Sequence, residues 1–323
     1  MFVRMPDLLD RRLVFVTGKG GVGKSTVATA LGLLAARGGR RTIVAELSGQ
    51  ERVQRAFDRD VEPFAEAELA PGLFTISIDP QHAMAEYLHL RVGALGGVLA
   101  SSRLFGAFAM ATPGMRELLS IGKVWELAQF ERRSRGGDPY DLVIVDAPAT
   151  GHGVGILRTP RTFAEIARVG PIARQGAAIA STIADPQFTA IVAVTTAEEM
   201  PVNETLAAAQ AIGEEGLTLS GVIVNALYPT RFDAAEAARL EGVGAAGEDR
   251  DGTAMNAAVR AALSEHARAA GQQLQLARLR ESLPEAEIAE LPFLFVPEIE
   301  LPELEGLADR LAGWLGRPAA AAG

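Results

Sequence analysis

A lysine and a serine set directly behind a run of glycines form a group suited to gripping an anion. In this chain the run is Gly18-Lys19-Gly20-Gly21-Val22-Gly23-Lys24-Ser25-Thr26, with the spacing G-x-x-x-x-G-K-[ST]. Glycines let the backbone turn tightly and aim successive N–H groups inward, which makes a nest of anion size. A helix beginning near Lys24 points the positive end of its dipole at the same spot. Lys24 can then reach the β- and γ-phosphates of a nucleotide, and the Ser25 hydroxyl can ligate Mg2+. An ordinary glycine-rich turn has no need of a Lys-Ser pair at this spacing.

A carboxylate is the second requirement. Asp146 ends the apolar run Leu142-Val143-Ile144-Val145, the usual place for the acid that holds Mg2+ directly or through water. The other reading of a strand-end Asp is a cap on the next helix. The residues that follow, Ala147-Pro148-Ala149-Thr150-Gly151-His152, favour the metal. Pro148 and Gly151 permit a sharp, switchable turn whose amides would face the γ-phosphate from the side opposite Lys24. His152 suits a water-positioning or interface role, and equally a hydrogen-bonded structural imidazole.

These groups meet only if strands and helices carry them to one edge. Leu13–Thr17, Thr42–Ala45, Phe74–Ile78, Leu142–Asp146, Thr189–Thr195, Gly221–Asn225 and Phe293–Val296 read as strands. Helical patterns cover Lys24–Ala36, Arg52–Phe57, Glu199–Glu214, Met255–Leu283 and Leu304–Leu315. The expected class is therefore α/β, with a doubly wound, mostly parallel sheet of about seven strands and helical insertions. One domain is expected over 1–323, with a helical insertion at 80–135, a shorter one at 161–187 and a flexible loop at 242–252. Phe163, Ile166, Val169, Ile172, Ile179 and Ile183 recur at helical spacing in the shorter insertion, the pattern of a packed face. Arg132-Arg133-Ser134-Arg135 reads as a solvated helix end, or more sharply as a phosphate-binding patch.

Composition narrows the class. The chain has 323 residues, 48% hydrophobic and 22% charged, enough for a sizeable core. A net charge of -9 disfavours non-specific binding to nucleic acid or an anionic membrane. With no cysteine, disulfides, thiolate catalysis and thiolate metal sites are excluded. His82, His89, His152 and His266 do not form a ligand-spaced set. No uninterrupted apolar run is long enough for a membrane span, and the first twelve residues lack a signal-peptide apolar region. A cytoplasmic protein is expected.

The early lysine makes the loop resemble the deviant phosphate loop of the ParA/MinD/ArsA class. The run from Asp146 to His152, continued by Gly155-Ile156-Leu157-Arg158-Thr159-Pro160, resembles the second switch of the ArsA family. That family includes bacterial arsenite-pump ATPases and eukaryotic ATPases that target tail-anchored membrane proteins. Pro113-Gly114-Met115-Arg116-Glu117, Asn225 and Pro297 resemble further family positions. The resemblance implies an ATPase using ATP and Mg2+, working as a dimer that ATP closes and hydrolysis opens. It implies that Lys19 reaches the phosphates bound by the partner, and that Asn225 and the loop at Pro297 hold the adenine.

Three departures stand against the family pattern. After the second strand the family has an Asp-Pro pair whose Asp activates water, whereas this chain reads Glu46-Leu47-Ser48-Gly49-Gln50. Ser48 falls where the Asp belongs, and Glu46 matches the earlier, structural acid, able to substitute only if the loop is remodelled. Losing a positioned base costs a factor of about 10²–10⁴, so slow hydrolysis by the isolated chain is expected. Second, without cysteine neither the arsenite thiolates nor the Cys-x-x-Cys zinc clamp is available, so no zinc is expected. Third, only 161–187 separates the second switch from the next strand, too little for the long client groove of the tail-anchor ATPases.

Three functions follow: a dimeric ATP-driven switch, a targeting or chaperone factor for a membrane-protein client, or an ATP-binding subunit paired with an active paralogue. The partner is a second copy in a homodimer or a paralogous ATPase in a heterodimer. The catalytic candidates are Lys19, Lys24 and Glu46. A partition or cell-division ATPase needs a basic DNA-binding surface or a basic membrane helix, and the acidic balance and the closing helix offer neither.

Overall fold

Alternation within each strand decides which helices cover which face. In β1 (Leu13–Thr17), Leu13 and Phe15 join one apolar cluster while Val14 and Val16 join another. β2 (Thr42–Glu46), β5 (Leu142–Asp146) and β6 (Thr189–Thr196) repeat this division. Every residue of β1, β2 and β5 is buried, as a strand covered on both faces requires. These features come from a computed structural model, which describes residues 5–47, 51–92, 112–131, 138–148, 152–167, 169–246 and 253–316.

The sheet has eight strands in the order β3-β4-β2-β5-β1-β6-β7-β8. β4 is Leu73–Ser77, β7 is Leu219–Leu227 and β8 is Ile288–Pro292. Pairing is parallel throughout except at β3 (Ala67–Ala70), which runs antiparallel to β4. On one face lie α1 (Lys24–Arg37) and α10 (Leu301–Trp314), packed on each other and on Val14, Val16, Val44 and Val192. The other face carries α4 (Met115–Leu127), α5 (His152–Ala167), α6 (Pro171–Ala184) and α7 (Glu199–Glu214). Trp125 Nε1 donates to Thr182 Oγ1 at 3.0 Å and ties α4 to α6. The remaining helices are α2 (Arg52–Arg55), α3 (Pro80–Val92), α8 (Ala234–Ala246) and α9 (Thr253–Ser282).

The α/β class and the doubly wound sheet are as expected, with differences of physical interest. β3 has no counterpart in the sequence reading, because only Leu69 of its four residues is buried and the run is too short to show alternation. The last strand is Ile288–Pro292, not Phe293–Val296. Its burial alternates, with Ala289 and Leu291 turned inward, as on an edge strand. The apolar run beyond it leaves the sheet to form an aromatic cluster. Phe293 stacks on Tyr228 with centroids 4.5 Å apart, and Phe295 meets both rings edge-on.

The segment expected as a loop at 242–252 is helical as far as Ala246, and 247–252 lie outside the described residues. In the 161–187 segment, Ile179 and Ile183 are buried, but Ile166 is 72% and Val169 83% exposed, so the packed face ends before the α5–α6 turn. The arginine run at 132–135 is outside the described residues. Among the described residues, no helix is long and apolar enough to cross a membrane.

Leu311 is 1% exposed on the α10 face that packs into the same cluster as Leu31 and Leu34 of α1. Leu311→Ala is expected to cost about 3 kcal/mol, the transfer and cavity terms together, measured by urea unfolding followed by circular dichroism.

Candidate functional site

β1 lies between β5 and β6, so the chain leaves the sheet at the point where the winding changes direction, and a crevice opens there at the strand C-termini. The ends of β1, β2, β4 and β5 are level. Ala147 N–H donates to Val16 O, Leu47 N–H to Asp146 O, and Ile78 N–H to Glu46 O. Glu46 and Asp146 are register partners on adjacent strands. The Gly18–Thr26 loop follows β1 and feeds α1 at this edge.

Two glycines are required by contact as well as by conformation. Gly18 has φ 143, and a Cβ there would lie 2.1 Å from Val194 O. Gly23, the N-cap of α1, has φ 90, and a Cβ there would lie 2.2 Å from Asn225 Nδ2. Asn225 uses that nitrogen to donate to Val22 O at 3.0 Å, so it anchors the loop from the end of β7. The next residue, Ala226, is left-handed at φ 59. Gln272 of α9 clamps it, donating to Ala226 O and accepting from Tyr228 N–H.

Within the loop, Lys24 Nζ donates to Lys19 O at 2.8 Å, which curls the side chain back over the nest. Ser25 Oγ donates to Asp146 Oδ2 at 2.5 Å. Asp146 is 2% exposed, and its Oδ1 is buried with no hydrogen-bond partner among the described residues. Burial raises the Asp146 pKa, opposed by the Ser25 hydrogen bond and by the charges of Lys24 and Arg52. Burial also lowers the Lys24 pKa, partly offset by Asp146. An orphaned carboxylate oxygen beside a serine hydroxyl is a donor set for a hard divalent cation such as Mg2+, which prefers oxygen and keeps several waters. Thus the loop, Lys24, Ser25, Asp146 and Asn225 converge in space.

Other expected residues are placed differently. Glu46 is 1% exposed, and its Oε1 accepts the Arg52 N–H at 2.8 Å, pinning the start of α2. Its pKa is pushed up to about 7, chiefly by burial, with the Asp146 charge adding and backbone hydrogen bonds from Arg52 and Val53 opposing. Lys19 Nζ pairs with Glu204 of α7 at 2.8 Å, a partner that no sequence signal marked because Glu204 is one acid among several on an exposed helix face. Pro297 is exposed, and Glu298 just after it lines a cavity beside Gly23, Ser25 and Thr26. Pro148 lies two residues past the end of β5 and is half-buried. Ser48, Thr150 and Gly151 lie outside the described residues, and of His152 only the backbone, at the start of α5, is described. Two of the segments that carried the resemblance meet: a Cβ on Gly114 would lie 2.9 Å from Phe163 and 3.8 Å from Thr159.

A phosphate loop at the switch point of a parallel sheet, with strand-end acids level beside it, defines the P-loop nucleotide-hydrolase class. The comparisons narrow this further. The model of the anion-transporting ATPase (ArsA) family matches residues 11–175 and 165–242. ATPase BagA of Mycobacterium tuberculosis is 34% identical over 309 residues, covering 92% of this chain and 89% of the relative. An arsenical pump-driving ATPase of Escherichia coli is 24% identical over 237 residues, covering 67% of this chain and 39% of that longer protein. ATPase ASNA1 homolog 1 of Paramecium tetraurelia is 28% identical over 152 residues, covering 46% of this chain and 43% of the relative. The chain belongs to the ArsA family of ATPases.

Two outcomes are expected. Gly23→Ala forces a Cβ into Asn225 and should weaken ATP binding at least about tenfold, a loss of about 1.4 kcal/mol, read by isothermal titration calorimetry. Glu46 is a carboxylic acid whose folded pKa lies above its unfolded one. Without nucleotide or metal, the folded state is therefore favoured at low pH and loses stability as pH rises from about 4.5 towards 7. Glu46→Gln should flatten that decline and stabilise the protein at pH 8 by up to about 3 kcal/mol, measured by urea unfolding at pH 5 and 8.

Proposed function

We propose that this ATPase is a nucleotide-driven dimeric switch that binds Mg-ATP in the Gly18–Thr26 loop. The observation that supports the reading most is the meeting of Lys24, Ser25 and the half-satisfied Asp146 at one level of the sheet edge. Gly18 to Gly23 supply the amide nest for the phosphates. Lys24 neutralises charge on the β- and γ-phosphates. Ser25 and Asp146 would hold Mg2+, which would supply neutralisation of phosphate charge. Thr26 lines the cavity where the nucleotide continues, and Asn225 and the loop at Pro297 hold the adenine. The site works in the cytoplasm and takes no zinc.

Lys19 supports the dimer. Its ion pair with Glu204 is solvent-exposed, and such pairs contribute only about 0–1 kcal/mol. A phosphate on a facing subunit is a stronger partner, so dimer closure would transfer Lys19 from Glu204 to that phosphate. The γ-phosphate orders the switch that begins at Pro148, and its loss releases it. The partner is a second copy or a paralogous ATPase. Ser48 stands where the water-activating Asp belongs, so hydrolysis by the isolated chain is slow, and the heterodimer reading supplies that acid from the partner.

A second reading, targeting of a membrane-protein client, is favoured by one observation. Ile166 and Val169 stand exposed at the α5–α6 turn, beyond the packed Ile179 and Ile183. ATP-dependent retention of a hydrophobic tail peptide on the purified protein is its test, and no retention counts against it.

Turnover separates these ideas. Lys24→Ala is expected to abolish ATP binding and hydrolysis. Ser48→Asp is expected to raise turnover by about 10²-fold, the lower end of what a positioned base contributes. Wild-type turnover as fast as that of an Asp-bearing relative would remove the slow-hydrolysis reading.

A further inference from the structure

The cavity that Thr26 lines has a second wall, the α2 side, whose side chains have no part in the scheme above. The cavity, of about 790 Å³, opens from Gly23, Ser25 and Thr26 and runs between α2 and the start of α10. Arg52, Arg55 and Arg59 line it. No ion pair or hydrogen bond of their guanidinium groups is formed among the described residues. Uncompensated cations on the wall of a phosphate site are there to meet an anion or are merely solvated, so position must decide between the two.

Arg52 is positioned with unusual care. Its N–H is held at 2.8 Å by Glu46 Oε1, a side chain 1% exposed and rooted in the sheet. The preceding residue, Glu51, is non-glycine yet left-handed, with φ 51. Such strain persists only where the surroundings over-determine it, and it concentrates at ligand sites. A buried carboxylate and a strained residue thus both fix the backbone of one arginine, whose exposed side chain lines the cavity beside the loop. Its charge is felt on either side of the phosphate position. It adds to burial in lowering the Lys24 pKa, and it joins the Ser25 hydrogen bond and Lys24 in opposing the effect of burial on Asp146. Arg55, at the end of α2, and Arg59, beyond it, have no such anchor among the described residues.

We propose that Arg52 is a catalytic arginine acting in cis, its guanidinium contacting the transferring γ-phosphate from the α2 side of the cavity. The proposal rests on the Mg-ATP reading. In the step it serves, a water oxygen bonds to the γ-phosphorus as the bond to the β,γ-bridging oxygen breaks. The bridging oxygen leaves on ADP with the electron pair, and the water proton passes to the phosphate or to solvent. Arg52 stays protonated and moves no proton. Its planar fork binds two equatorial oxygens at once and stabilises the charge spread over them. Arginines in this role contribute about 10³-fold or more.

The test uses the full chain with Mg2+, as wild type, Arg52→Ala, Arg52→Lys and Arg55→Ala. Dissociation constants are measured for ADP alone and for ADP with aluminium fluoride, which mimics the transferring phosphoryl group. Wild type is expected to prefer the aluminium fluoride complex. Arg52→Ala should lose at least tenfold of that preference while its ADP affinity changes less than threefold, and Arg52→Lys should recover only part. Added guanidine should restore single-turnover hydrolysis in Arg52→Ala, a rescue that a purely structural role would not show. Arg55→Ala should keep the wild-type preference. The proposal is overturned if Arg52→Ala keeps that preference, or if Arg55→Ala loses it equally, which would mark a diffuse positive field. If the wild type binds neither ADP nor ATP, the Mg-ATP reading fails and takes this one with it. Tight binding by the wild type with an unaltered Arg52→Ala overturns the arginine alone.

Discussion

Ser25 and Asp146 are 121 positions apart in the chain and 2.5 Å apart in the fold. Everything at the sheet edge depends on that contact being possible. A carboxylate buried to 2% exposure is costly unless it is paired or coordinates a cation. Here one oxygen has a partner and the other has none among the described residues. The protein tolerates this because β1 and β5 are adjacent, in register and level at their ends, so the loop after one strand must face the acid ending the other. The same constraint sets a carboxylate oxygen and a serine hydroxyl side by side, a donor pair suited to a hard divalent cation.

Charge at this edge is balanced in layers. Two acids, Glu46 and Asp146, end adjacent strands, and burial disfavours ionisation of both. At Asp146 the charges of Lys24, from the loop, and Arg52, from α2, oppose this, while at Glu46 backbone hydrogen bonds from Arg52 and Val53 do so. Glu46 therefore has a structural task at the site. It holds the first residue of α2, so the start of that helix is anchored in the sheet. An acid committed to a backbone N–H, its ionisation disfavoured by burial, serves α2 rather than a reacting group.

Loop position is controlled from a distance as well. Asn225 grips Val22 O and fills the space a side chain on Gly23 would need. Asn225 is followed by the left-handed Ala226, which Gln272 of α9 clamps on both sides. The phosphate loop is thus braced by β7 and, through it, by a helix more than two hundred residues away in sequence. Lys19 is the exception: its side chain lies outward on Glu204, so this lysine is free to change partners without disturbing the loop.

The chain's own order of residues determined the loop, the strand-end Asp146 and the parallel α/β class. Each is a local pattern: glycine spacing, a fully apolar five-residue run, and apolar runs alternating with helical ones. It also marked Asn225 and the absence of Asp at Ser48. Tertiary structure decided what depends on meeting partners. β3 and β8 are edge strands whose few buried residues make a weak signal, whereas Phe293–Val296 is apolar for the sake of ring stacking with Tyr228. That Lys19 rests on Glu204, that Glu46 serves α2, and that Arg52 lines the cavity beside the loop follows from no spacing in the sequence. Such pairings are set by which strands lie side by side, and a carboxylate or guanidinium has the same letter whether it ends up solvated or buried against a phosphate site.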